Sequence, residues 1–192
     1  MERKSNIKVV ILLLFIAVVV GLRLLAPISP DFSVFANISG LGAVAIFSGS
    51  YIKNRFSAYI LPMLVLLLSD LCLGIIMDTS YVFYQGWYYT YITFAFMVWI
   101  GQWLVQKVNV TNVFIASFAA VFVHWIVSDF GVWFGSTYYP QTVAGFWTCL
   151  VAAIPFELKF LYGTLIYSAL MFVAFEALKA KYPSLGYRTA VA

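Results

Sequence analysis

Six continuous apolar runs constrain this chain more than any other feature of it. They fall at residues 7–26, 37–52, 56–77, 87–106, 112–135 and 160–178, separated by segments rich in Pro, Asp, Ser, Tyr or Lys. A run of roughly 20 apolar residues satisfies its own backbone hydrogen bonds in lipid only as a helix, and the alternation that marks a membrane barrel strand is absent from these. The rest of the composition agrees. Of 192 residues, 64% are hydrophobic and 9% charged, and the mean hydropathy is +0.98. A chain of this size has too little polar surface to coat a water-soluble globule. The eleven Lys and Arg are scattered along it at a net charge of +4, which builds no basic face for nucleic acid.

The first run follows Arg3, Lys4 and Lys8 but lacks a small-x-small cleavage site, because Arg23, Leu24 and Leu25 precede Ala26 and Pro27. It is expected to be a retained span. Residues 146–156 are apolar too, but they number eleven and lead into Glu157 and Lys159, so they read as a short re-entrant or interfacial element. The fold class expected is therefore an all-α membrane protein: one domain over residues 1–192, with six transmembrane helices and that short element before the last. Charge bias sets its orientation. Arg3, Lys4, Lys8, Lys53, Arg55, Lys107, Lys179, Lys181 and Arg188 fall on one side, leaving Arg23 and Lys159 on the other. Both termini are then cytoplasmic, most simply in a bacterial inner membrane. The outer loops are the longer ones, so function is expected beneath them.

Five of the seven acids lie in the outer half: Asp31, Asp70, Asp78, Asp129 and Glu157. A carboxylate near mid-membrane costs roughly 2.5–3.5 kcal/mol on insertion scales. Asp70 and Asp129 therefore admit two readings, as helix-end acids near water or paired with Arg23 or Lys159, or as groups lining a substrate cavity. Aromatic residues crowd the same region, among them Tyr84, Trp87, Tyr88, Trp133, Tyr139 and Trp147. They suit a belt at the headgroup level, and equally a pocket wall for a flat or amphipathic ligand.

The single histidine, His124, shares a helical face with Ser128, while Asp129 stands about 140° around the helix and no G-x-S-x-G elbow is present. A packing histidine is the plainer reading, and a membrane enzyme acting through His124, Asp129 or Glu157 is the alternative. No phosphate-binding loop occurs, so any ATP energy comes from a partner. Small residues at Ala17 and Gly21, and at Gly42, Ala45 and Gly49, form flat faces for close helix approach, within the chain or to another membrane subunit. Cys72 and Cys149 read as small packing residues that admit one bridge, and as thiolates they are soft metal ligands.

Several segments together resemble a known family. They are Asn37-Ile38-Ser39 leading into residues 43–51, Leu68-Ser69-Asp70-Leu71, Phe130-Gly131-Val132-Trp133, Tyr139-Pro140-Gln141-Thr142, the Cys149 region through Ala152-Ala153-Ile154-Pro155-Phe156, and residues 163–167. The family is that of bacterial transport proteins related to the substrate-binding S-components of energy-coupling-factor transporters, and the similarity runs from about Arg23 onward. It implies a six-helix protein that holds a vitamin-like solute under its outer loops and releases it inside when an ATP-driven transmembrane module engages it. One branch works alone as a cobalamin transporter with a cysteine as axial cobalt ligand, a role the resemblance assigns to Cys72. Gly40, Ser128-Asp129 and Glu157 to Phe160 depart from the family pattern, and the last two changes place acids on the ligand side. The function expected is thus binding and transport of a vitamin-like solute, cobalamin or a related corrinoid first, by a protein that is not an enzyme and carries no prosthetic group. The substrate-binding residues expected are Asp70, Cys72, Tyr84, Trp87, Tyr88, Asp129, Trp133, Tyr139, Trp147 and Glu157. An assembly subunit without a cavity is the remaining alternative.

Overall fold

A computed structural model describes residues 2–25 and 38–182, with the side chains of residues 2–13 and of Tyr81 outside that description. The expectations for Asp31, Asn37 and Arg188 lie outside the described residues. Among the described residues every regular element is a helix: α1 (Glu2–Leu25), α2 (Leu41–Tyr51), α3 (Arg55–Ile76), α4 (Thr79–Val82), α5 (Trp87–Leu104), α6 (Val110–Trp133) and α7 (Val143–Lys181). Polar caps start most of them. Asn54, Asp78, Asn109 and Thr142 accept backbone N–H groups of Ser57, Ser80, Asn112 and Gly145, respectively, which satisfies donors with no partner inside the helix. At the start of α5 the cap is Gly86 at φ 88°. A Cβ there would lie 2.3 Å from the carbonyl oxygen of Gly131, so conformation and space both require glycine.

Three helices are long and apolar enough to cross a membrane: α3, α6 and α7, whose best windows have mean hydropathies of 2.3, 1.9 and 1.6. The expected span at residues 37–52 is corrected by α2. That helix has 11 residues, about 16 Å against a hydrocarbon core of about 30 Å. Its residues Leu41 to Gly49 are all buried, so it is apolar all round because protein surrounds it. It packs against α1, α3, α5, α6 and α7 as a central pin. The approach to α5 is close at two glycines: a Cβ on Gly49 would sit 2.2 Å from the Val98 carbonyl oxygen, and one on Gly101 would sit 2.4 Å from that of Ile46. The small-residue face expected on α2 thus serves packing within the chain. Gly21 has nothing within 4 Å of its Cβ position, so no described helix approaches closely there.

A second correction concerns residues 146–156. They form no separate re-entrant element but run without a break into the last expected span, within the 39-residue α7, about 58 Å long. Pro155 lies inside this helix. A proline removes one backbone hydrogen bond and crowds the preceding turn, a defect that neighbouring helices can absorb. Glu157, read as a sign of the helix ending, lies inside α7 and bonds through its side chain to His124 on α6. At one end of the bundle Tyr51 donates to Glu176 and Tyr59 to Gln102 at 3.4 Å, so α2, α3, α5 and α7 meet there. The chain segments carrying Lys53, Arg55, Lys107, Lys179 and Lys181 all belong to that end.

Candidate functional site

Two polar clusters lie towards the opposite end, each held between helices. In the first, Arg23 on α1 donates to Ser69 and, at 2.6 Å, to Asp70 on α3, and the Tyr91 hydroxyl on α5 donates to the other Asp70 oxygen at 2.9 Å. The Ser69 hydroxyl donates to the Leu66 carbonyl at 2.9 Å. The carboxylate is buried, but its charge is paired and both oxygens are bonded, the condition under which a buried ion pair is tolerated. This cluster is closed. It ties three helices together and leaves neither oxygen of Asp70 without a donor.

The second cluster lies between α6 and α7. His124 Nδ1 is 2.9 Å from Glu157 Oε1, and the His124 ring packs on Phe160 with centroids 4.5 Å apart. Asp129 is 9% exposed and interacts electrostatically with both Glu157 and His124. Its backbone carbonyl faces the Cys149 thiol at 3.7 Å. Here the polar groups are not satisfied: Asp129 Oδ2, Glu157 Oε2 and, further along α7, Thr164 Oγ1 are buried with no hydrogen-bond partner among the described residues. Thr164 is fully buried, and its oxygen is the nearest atom to the Cβ position of Gly42 at the start of α2. Of the two carboxyl groups, Glu157 is the one that bonds to the imidazole. A charge left unpaired at such a site costs several kcal/mol, a cost that a proton or a hydrogen-bonding partner removes.

Beside this cluster runs a lateral groove of about 270 Å³ between α6 and α7. Its walls are two helical stripes, Phe118, Val121, Phe122 and Trp125 on α6 and Ile154, Glu157, Leu158 and Leu161 on α7. Both sets have the spacing i, i+3, i+4, i+7 that puts side chains on one face. The Trp125 indole donates to the Leu150 carbonyl at 2.9 Å, which fixes the ring in the wall. Glu157 is the one ionisable residue of the lining.

The remaining expected site residues do not converge. Cys72 is exposed on α3, about 160° around that helix from Asp70, and belongs to neither cluster. Tyr84 bonds to Thr90 at 3.0 Å, and Thr90 to Ser128 at 3.4 Å. Trp87 packs edge-on against Phe83 and Tyr91, and Tyr88 lies against Tyr89. Trp133 donates to the Pro140 carbonyl and packs on Phe130 and Phe146, while the Tyr139 carbonyl accepts from Gln141. Trp147 is 59% exposed. These rings largely pack on one another. Cys72 and Cys149 are both free, so the bridge that two cysteines admit is not made. No cluster of three or more metal-ligating side chains occurs among the described residues. His124 was expected only as a packing or catalytic residue, and Tyr91, Thr164 and the groove wall were not among the expected binding residues. The apolar spacing 118/121/122/125 was legible, but nothing local distinguishes a groove wall from a core stripe.

The chain belongs to DUF6580, a family of unknown function, whose family model matches residues 3–185. Neither curated proteins nor solved structures yield a match.

Proposed function

We propose that this member of a family with no assigned function is an integral membrane protein that binds a small vitamin-like solute between α6 and α7 and passes it to the cytoplasm. The observation that carries the reading is the set of unpartnered buried oxygens on Asp129, Glu157 and Thr164, next to a groove of ligand scale. A polar group in a membrane interior marks a pathway or a binding site when no protein partner satisfies it. A guest with hydrogen-bond donors offsets that cost. Binding is favoured over catalysis because no hydroxyl or thiol bonds to the His124 imidazole among the described residues and Ser128 bonds to Thr90, so no nucleophile is paired with a base.

In the proposed topology α1, α3, α5, α6 and α7 cross a bacterial inner membrane and α2 is a half-helix returning to the cytoplasmic side. The lysines and arginines gathered at one end of the bundle support this orientation, with both termini cytoplasmic. The resemblance to S-components supports a vitamin-like solute and an ATP-driven module as the energy source; a corrinoid with Cys72 as cobalt ligand is a separate reading with a different site, because that thiol is exposed on α3 and belongs to neither cluster. The test is purification after exposure to a vitamin mixture that includes cobalamin, followed by mass spectrometry of the retained small molecules and a visible spectrum. A retained solute lost in Asp129→Asn supports the proposal. A corrinoid spectrum altered by Cys72→Ala supports that ligand, and colourless preparations of both proteins remove it. Absence of any retained solute overturns the binding reading.

A further inference from the structure

We infer that the seam between α6 and α7 is a proton-binding site, where the Asp129 carboxyl takes its proton from water at the near end of α6 and exchanges it there. This goes beyond solute binding and holds whether or not a solute docks beside it. The first argument compares two aspartates of similar burial. Asp70 is 7% exposed and Asp129 is 9% exposed, yet Arg23 and Tyr91 bond to the two oxygens of Asp70 while Asp129 Oδ2 has no partner among the described residues. A buried carboxyl without a partner is relieved by a proton, which needs no room of its own. The cations nearest in the fold are not free to serve instead: Arg23 is paired with Asp70, and Lys159 is exposed. Asp129 lies four residues from the last residue of α6, Trp133, about 6 Å along the axis. Water beyond that end is close enough to supply the proton.

The second argument is the polar stripe that leads away from Asp129 into the bundle. Ser117, His124 and Ser128 on α6, and Glu157, Thr164 and Ser168 on α7, both follow the spacing i, i+7, i+11, which keeps each set within about 40° of arc. The two stripes face each other. His124 meets Glu157 at 2.9 Å and Ser117 meets Ser168 at 3.4 Å, and the oxygens of Glu157 Oε2 and Thr164 Oγ1 are further buried groups without a partner among the described residues. Acids, histidine and hydroxyls in series between membrane helices are the groups that hold and relay protons. Beyond Ser168 the same face of α7 turns apolar, with Met171, Phe172 and Phe175 buried, so the stripe stops within the bundle.

The titratable groups near Asp129 are His124 on its own helix, Glu157 and Cys149 on α7, and Tyr89 on α5, which packs on Phe130. On α2, which also packs against α6, the titratable side chain is Tyr51, bonded to Glu176 at the opposite end. His124 commits Nδ1 to Glu157, and a thiol and a phenol are ordinarily neutral near pH 7. None of these groups takes the place of a proton on Asp129.

Infrared difference spectroscopy of the full chain near neutral pH tests the site, in a maltoside detergent that has no carbonyl of its own. Aspartates in water are ionised there. The wild type is expected to show the C=O stretch of a protonated carboxyl, shifted by isotope-labelled aspartate and lost in Asp129→Asn. Transfer to deuterium oxide should shift the band as well, because the proton exchanges with water. The labelled wild type keeps the test decisive if the Asn variant does not fold. Absence of the band, or its persistence in Asp129→Asn, overturns the inference. A band shifted by labelled glutamate instead puts the proton on Glu157 and overturns the assignment, and a band unmoved by deuterium oxide marks a sealed acid and overturns the exchange. A retained vitamin without the band refutes the proton site while solute binding stands, and the band without any retained vitamin supports the proton site and refutes the solute.

Discussion

Arg23 and Asp70 show how a single residue decides whether a charge in this bundle is tolerated. Removing the guanidinium leaves a buried carboxylate with one tyrosine donor, so Arg23→Met should destabilise by about 3–5 kcal/mol in detergent unfolding. The double variant Arg23→Met/Asp70→Leu should recover most of the loss, because the penalty belongs to the orphaned charge and not to the absent attraction. At the exposed start of α4, the Ser80 backbone N–H and then its hydroxyl hold the Asp78 carboxyl below its ordinary value of 3.8. A depressed carboxylate stabilises the fold above that value and loses its contribution as pH falls through the folded pKa. Amide exchange at Ser80 should therefore accelerate below about pH 3.8, and in Asp78→Asn this step should vanish. Asp70 was legible as an acid needing a partner, with Arg23 among its candidates. His124 was not legible as the partner of Glu157, because the two are 33 residues apart and only the packing of α6 on α7 joins them.

The helices divide according to what surrounds them. Packing of α2 on α5 depends on Gly49 and Gly101, where backbone carbonyls occupy the space a side chain would need. Gly101→Ala should cost about 1–3 kcal/mol in thermal unfolding. Gly21→Ala, with open space at its Cβ position, should be neutral or stabilising by up to about 1 kcal/mol as a helix-interior replacement. Both glycines look alike in an apolar run. Length was misjudged in α2 and α7: apolar residues in α2 continue because protein covers them, and Pro155 with Glu157 resembles a terminus although the helix runs on through both. For α3, α5 and α6, hydropathy and flanking polar caps located both ends within two residues.

For the whole molecule the prediction concerns topology. In a Cys72→Ala background, Tyr138→Cys, at a position 90% exposed between α6 and α7, should react with a membrane-impermeant maleimide on intact cells. Lys107→Cys should react only after permeabilisation, and the reverse pattern refutes cytoplasmic termini. Hydrophobicity, its period and the distribution of cations are properties of the chain itself, so the helical class and the charge bias are settled before folding, whereas six expected spans give way to three helices of membrane length only in the folded structure. Which buried polar groups find partners depends on distances between residues far apart in sequence. That is why only the tertiary structure closes the Asp70 cluster, leaves oxygens of Asp129 and Glu157 unpartnered, and opens a groove beside them.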